Sequence, residues 1–180
     1  MKFAKSIEGT GVKVSLNVSA VQLMQAGFVD NFMNIYKRYD LKPGSIGLEV
    51  NESLLSATIG ENLRKLEFLA SSGIDIYLDH FAVESSSLTY LAKLPITAIK
   101  IDRVFVNDLG KNRYNTIVSK MITDIASTLG LYTVCEGVET KEQLEELEKN
   151  GCNVIQGYLI SKAVGEDVAR DMIKSFRFNK

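Results

Sequence analysis

Residues 74–106, IDIYLDHFAVESSSLTYLAKLPITAIKIDRVFV, decide how the whole chain is read. Two apolar, partly β-branched runs, IDIYLD and ITAIKID, frame a polar loop and a short helix that Pro95 stops. Asp79 and Lys100 stand at or near the ends of these runs. Such runs read as buried parallel strands, which deliver polar chemistry at their C-terminal ends. Working outward, four more runs do the same: VSLN ends at Asn17, IGLE at Glu49, YTVCE at Glu136 and NVIQ at Gln156. In barrels of parallel strands wrapped by helices, sites are built from residues at those ends. Asn17, Glu49, Asp79, Lys100, Glu136 and Gln156 are therefore expected to converge on one mouth.

The segments between the strands read as helices. Ser19 is placed to cap SAVQLMQAG, and a second helix over about 29–39 closes at the turn LKPGS. Leu63, Leu66, Leu69 and Ala70 form an amphipathic stripe that ends at Gly73. Ile117, Met121, Ile125 and Leu129 recur at four-residue spacing before Gly130. Thr140 with Gln143 is a capping-box pattern opening KEQLEELEKN, which Gly151 terminates. A short helix over 103–109 and a final one over 166–176 complete the set. Strand and helix alternate throughout, which predicts right-handed crossovers and a parallel sheet. Glu52, in the NESLLSA segment after Glu49, is close enough in sequence to brace the loop there.

Six strands are counted where a closed eight-fold barrel takes roughly 250 residues. The expected fold is thus α/β, an incomplete TIM-like (β/α) barrel of mostly parallel strands, with residues 1–180 forming one domain. An open sheet edge invites pairing with another chain, so a homo-oligomer or an adjacent domain is the expected partner. The 21 basic and 22 acidic residues nearly cancel and form no basic run, which argues against a nucleic-acid polymer as partner. No stretch is long and apolar enough to insert into a membrane, and MKFAKSIEG lacks the apolar centre of a signal peptide, so a cytoplasmic location is expected. Cys135 and Cys152 fit no metal-ligand spacing and read as reduced core residues. His80 is the single histidine, so no histidine cluster can be built.

LNVSAVQL, LEVNESL, YLAKLP, IKIDRVFV, CEGVET and QGYLISKA follow one another in an order that resembles the EAL-domain family of bacterial cyclic-di-GMP phosphodiesterases. The resemblance runs from about Val12 to Ala163. It implies a cytoplasmic signalling domain whose intact relatives use Mg²⁺ or Mn²⁺ to open cyclic-di-GMP to the linear dinucleotide. By the same resemblance Asn17, Glu49 and Asp79 match metal ligands, and Glu136 matches a further metal-site carboxylate. Lys100 matches the lysine that orients the attacking water, and Gln156 matches a residue of the same pocket. Hard divalent cations prefer such carboxylate and amide oxygens, and two-metal hydrolysis holds them about 3.5 to 4 Å apart.

Two departures from the family pattern bear on activity. No Glu-Ala-Leu tripeptide occurs in the 180 residues, and the pattern's first strand and helix are unmatched. Residues 1–11 are read as the tail of that region. The family's Asp-Asp-Phe-Gly-Thr-Gly is here Asp79-His80-Phe81-Ala82-Val83-Glu84, so His80 replaces a ligand to the second metal. An imidazole offers one nitrogen and less negative charge, and the site is expected to bind metal weakly or not at all. Loss of both glycines, to Ala82 and Glu84, is expected to send the loop along another path. Three functions follow: an inactive interaction module, ranked first; a cyclic-di-GMP receptor without turnover; and an active phosphodiesterase, ranked last.

Overall fold

Apolar runs bounded by turns form six strands in the computed structural model of the chain, which describes residues 1–51, 59–83 and 91–175. In chain order the strands are β1 (Val14–Val18), β2 (Ile46–Asn51), β3 (Asp75–Phe81), β4 (Ala98–Ile101), β5 (Tyr132–Glu136) and β6 (Val154–Gln156). The helices are α1 (Lys2–Ser6), α2 (Ala20–Met24), α3 (Phe28–Arg38), α4 (Ile59–Ser71), α5 (Arg103–Val106), α6 (Arg113–Thr128), α7 (Lys141–Asn150) and α8 (Glu166–Ser175). All neighbouring strands are parallel, in the order β1-β2-β3-β4-β5-β6. Sequential parallel strands with helical crossovers are the plan of a TIM-like barrel, here a partial one, as the alternation predicted. Among the described residues, no helix is long and apolar enough to cross a membrane.

Register sorts the side chains into two faces. Leu16, Leu48 and Ile76 lie at one level, as do Leu78 and Ile99, and Ile101 and Cys135. This set, with Ile46 and Ile74, forms the core beneath Leu23 of α2, Leu66 and Leu69 of α4, Ile122 and Ala126 of α6 and Leu147 of α7. Because side chains alternate along a strand, the residues between them belong to the opposite, concave face. These are Ser15, Asn17, Glu49, Asp75, Tyr77, Asp79, Lys100, Glu136 and Gln156.

Local chemistry sets the ends of the helices. Ser19 caps α2 and Thr140 caps α7, and in each the glutamine at the third helical position, Gln22 or Gln143, returns the bond. The four-residue stripe on α6 marked the helix, yet of its members only Ile125 packs against the core. Val118, Ser119, Ile122, Thr123 and Ala126 are buried there, whereas Ile117 is 54%, Met121 48% and Leu129 42% exposed. The opening residues, read as a tail, form α1. Ala4 and Ile7 are buried, Lys5 Nζ donates to the Asp40 carbonyl at 2.6 Å, and Arg170 of α8 stands 5.0 Å over the Phe3 ring.

β3 departs from its expected end. It runs two residues past Asp79, and its register with β4 slips between Leu78 and Phe81. Leu78 pairs with Ile99 and Phe81 with Ile101, so Asp79 and His80 together oppose Lys100. This extra residue is a bulge, with His80 at φ 56°. It returns Phe81 to the apolar side, where it is buried. Ala82 sits at φ 65°, so this position keeps the left-handed backbone that glycine favours despite its Cβ. Glu52 with most of NESLLSA, Glu84, and most of the helix expected before Pro95 fall outside the described residues.

Candidate functional site

Lys100 lies on β4, whose four residues are all buried, and its ammonium is enclosed by carboxylates from three other strands. Nζ lies 2.5 Å from Glu49 Oε2 on β2, 2.6 Å from Glu136 Oε1 on β5 and 3.7 Å from Asp79 Oδ1 on β3. The lysine side chain is 4% exposed. Burial pulls its pKa down, but the hydrogen bonds and charges of Glu136 and Glu49 outweigh that and hold it above the ordinary lysine value. Ser15 Oγ donates to the other oxygen of Glu49. Asp79 Oδ1 also accepts from the backbone N–H of His80 at 2.9 Å.

His80 forms a second link. Its ring Nδ1 is 2.7 Å from Asp102 Oδ2, and Nε2 is 3.6 Å from Asp79 Oδ2. A carboxylate can only accept, so Nδ1–H is the donor. Asp102 also caps α5, its Oδ1 accepting from Val104 N at 2.8 Å. Partial burial lowers the imidazole pKa, yet the Asp102 hydrogen bond and the charges of Asp79, Asp102 and Glu136 carry it above the ordinary value.

Close backbone packing fixes the far side. Glu136 and Gln156 are register partners, Val138 N donates to the Gln156 carbonyl at 3.1 Å, and Leu159 N donates to the Val138 carbonyl at 3.0 Å. A Cβ at Gly157 would lie 2.1 Å from the Val138 oxygen, so only glycine fits that crossing. Gly137, at φ 72°, backs onto Arg103 of α5, where a Cβ would meet the arginine Cβ at 2.5 Å. Asn17 is level with Glu49 on the edge strand β1, and both Asn17 and Gln156 are exposed.

The six strand-end residues thus occupy one face and one end of the sheet, with Glu49, Asp79, Lys100 and Glu136 in direct contact. Three further residues belong with them. Ser15 was legible two positions before Asn17 on an alternating strand, and Asp102 as an aspartate at the first position before a helix. The ring contact of His80 with Asp102 had no local signal, because it depends on the bulge. The oxygen donors suit a hard divalent cation in kind, but their carboxylates turn toward Lys100. Among the described residues, no group of three or more His, Cys, Asp or Glu side chains is arranged to hold a metal ion. As placed, Glu49 and Glu136 direct their oxygens at the Lys100 ammonium. Cys135 is buried and Cys152 half-buried, both as free thiols.

Comparison with known proteins adds to this geometry. The chain is 39% identical over 149 residues to MucR of Pseudomonas aeruginosa, named a bifunctional diguanylate cyclase/cyclic di-GMP phosphodiesterase, which covers 83% of this chain and 22% of that protein. It is 33% identical over 168 residues to the cyclic di-GMP phosphodiesterase NbdA of the same organism, covering 93% of this chain and 22% of that one. The chain therefore spans under a quarter of these relatives' length. Its structure is similar to that of the P. aeruginosa MucR phosphodiesterase in complex with c-di-GMP, with a TM-score of 0.87 and 33% identity over 93% of this chain and 70% of that one. It also resembles the EAL domain of Mycobacterium smegmatis DcpA, with a TM-score of 0.90 and 32% identity over 98% of this chain and 79% of the other. The sequence model of the EAL domain matches residues 1–163, and with it the strand-end mouth from Asn17 to Gln156; the chain belongs to the EAL domain family.

Proposed function

We propose that residues 1–180 form a cytoplasmic EAL-family domain of cyclic-di-GMP signalling that does not hydrolyse the nucleotide and works by contact, with a second copy of itself or with a neighbouring signalling domain. His80 carries this reading. Where the family pattern has a second aspartate, this chain places an imidazole already committed to Asp102 at 2.7 Å. That position is internal to the chain, so the reading does not depend on what precedes Met1. Lys100, the residue matching the water-orienting lysine, is engaged by Glu49 and Glu136. Mg²⁺ or Mn²⁺ binds this site weakly or not at all. The exposed apolar residues of α6 support the contact role: Ile117, Met121 and Leu129 border a cavity of about 740 Å³ with Leu91 and Asn150.

The test is incubation of the chain with cyclic-di-GMP and Mn²⁺ or Mg²⁺, followed by chromatography. No linear dinucleotide is expected, and its formation would overturn the inactive reading. Sedimentation should find self-association that Met121→Lys weakens; a monomer at every concentration would leave only the neighbouring domain as partner. A second reading, a receptor without turnover, draws on the exposure of Asn17 and Gln156 at the mouth. Saturable heat on titrating cyclic-di-GMP would favour it, and none would remove it.

A further inference from the structure

Resting on the non-hydrolysing reading, we infer that the mouth is held together by its own side chains, Lys100 and His80, and that His80 is the link that makes it independent of a divalent ion. Four carboxylates meet here from β2, β3, β5 and the start of α5: Glu49, Asp79, Glu136 and Asp102. Lys100 touches the first three, at 2.5, 3.7 and 2.6 Å. Asp102 is joined to the group through His80, whose ring Nδ1 lies 2.7 Å from Asp102 Oδ2 and whose backbone N–H donates to Asp79 Oδ1 at 2.9 Å.

The bulge makes this link possible. Because Asp79 and His80 both oppose Lys100, the ring stands between the end of β3 and the cap of α5. A carboxylate at position 80 would face Asp79 and Asp102 with no hydrogen between them, and like charges that close need a cation. His80 supplies a donor where the family pattern, with its aspartate, would leave an acceptor. One substitution therefore separates a mouth closed by its own side chains from one that requires an ion.

The experiment uses Mn²⁺ alone as probe, with the wild-type chain, His80→Asp and His80→Asn, each first stripped with chelator. Calorimetric titration and thermal unfolding with and without Mn²⁺ are the readouts. The wild type should give no saturable heat and an unchanged Tm. His80→Asp should melt lower in chelator, recover with Mn²⁺, and bind the ion at least about tenfold more tightly than the wild type, the scale on which metal sites respond to neighbouring groups. His80→Asn, which loses the link without adding charge, should melt lower and ignore Mn²⁺. Stoichiometric Mn²⁺ binding by the wild type with a raised Tm would overturn the inference. So would a His80→Asp chain, folded or not, that is indifferent to the ion. Nucleotide turnover would defeat the non-hydrolysing reading, whereas Mn²⁺ binding without turnover would leave that reading standing and defeat the self-closed mouth together with the weak metal binding proposed above.

Discussion

At the scale of single residues, the ammonium of Lys100 and the carboxylates around it stabilise one another only as a set. Removing the cation leaves Glu49 and Glu136 largely buried with nothing opposite their charge. Breaking a buried pair in this way costs about 3 to 5 kcal/mol, so Lys100→Met should lose on the order of 3 kcal/mol in urea unfolding. A loss within error of zero would mean that water already solvates these carboxylates. Tyr77 gives a separate, pH-dependent signal. Its ring lies over Gly47 on the concave face, and its hydroxyl donates to Asp75 at 3.4 Å. Burial, then the Asp75 charge, pushes the phenol from 10.0 up to about 12. A group whose folded pKa is raised contributes fully below its unfolded value and loses that contribution as pH rises through the folded one. Stability should therefore decline between pH 10 and about 12, and Tyr77→Phe should flatten that decline when unfolding is followed by circular dichroism.

At the scale of elements, the crossing of Gly157 over Val138 locks the end of β6 to the chain leaving β5. Gly157→Ala would press a Cβ to 2.1 Å from a backbone oxygen, which a flexible side chain cannot relieve. Overpacking of this kind costs about 1 to 3 kcal/mol, and the substitution should lie at the upper end, with an altered environment at Glu136. Thermal unfolding and the amide shifts of residues 136–138 would check both. The capping boxes at Ser19 and Thr140 depend on residues three apart, which is why the Thr140 box could be read from sequence. Strand positions were legible for the same reason, being short apolar runs between turns. The bulge in β3 was not, because Leu78, Phe81, Ile99 and Ile101 can be in register only after one extra residue is accommodated. Nor could spacing alone tell which side of α6 is covered: Ile117 and Met121 keep the helical repeat as well as Val118 and Ile122 do.

At the scale of the whole molecule, the parallel order of the strands carries six distant polar residues to one rim. Their convergence was legible because C-terminal strand ends share a side in such a sheet. Which of them would touch was not, since Lys100 reaches Glu49 across β3 and Glu136 on the next strand. The outer face is apolar and helix-covered, and the concave face is polar, so the chain separates packing from chemistry by the period of two along each strand. The account's central claim is that the side chains of Lys100 and His80, not a divalent ion, hold the carboxylates at the rim. A crystal grown in Mn²⁺, with anomalous data collected near the manganese edge, tests it most directly. The account predicts Lys100 within hydrogen-bond reach of Glu49 and Glu136, His80 on Asp102, and no anomalous peak at the mouth. A manganese peak coordinated by Asn17, Glu49 and Asp79 would contradict it.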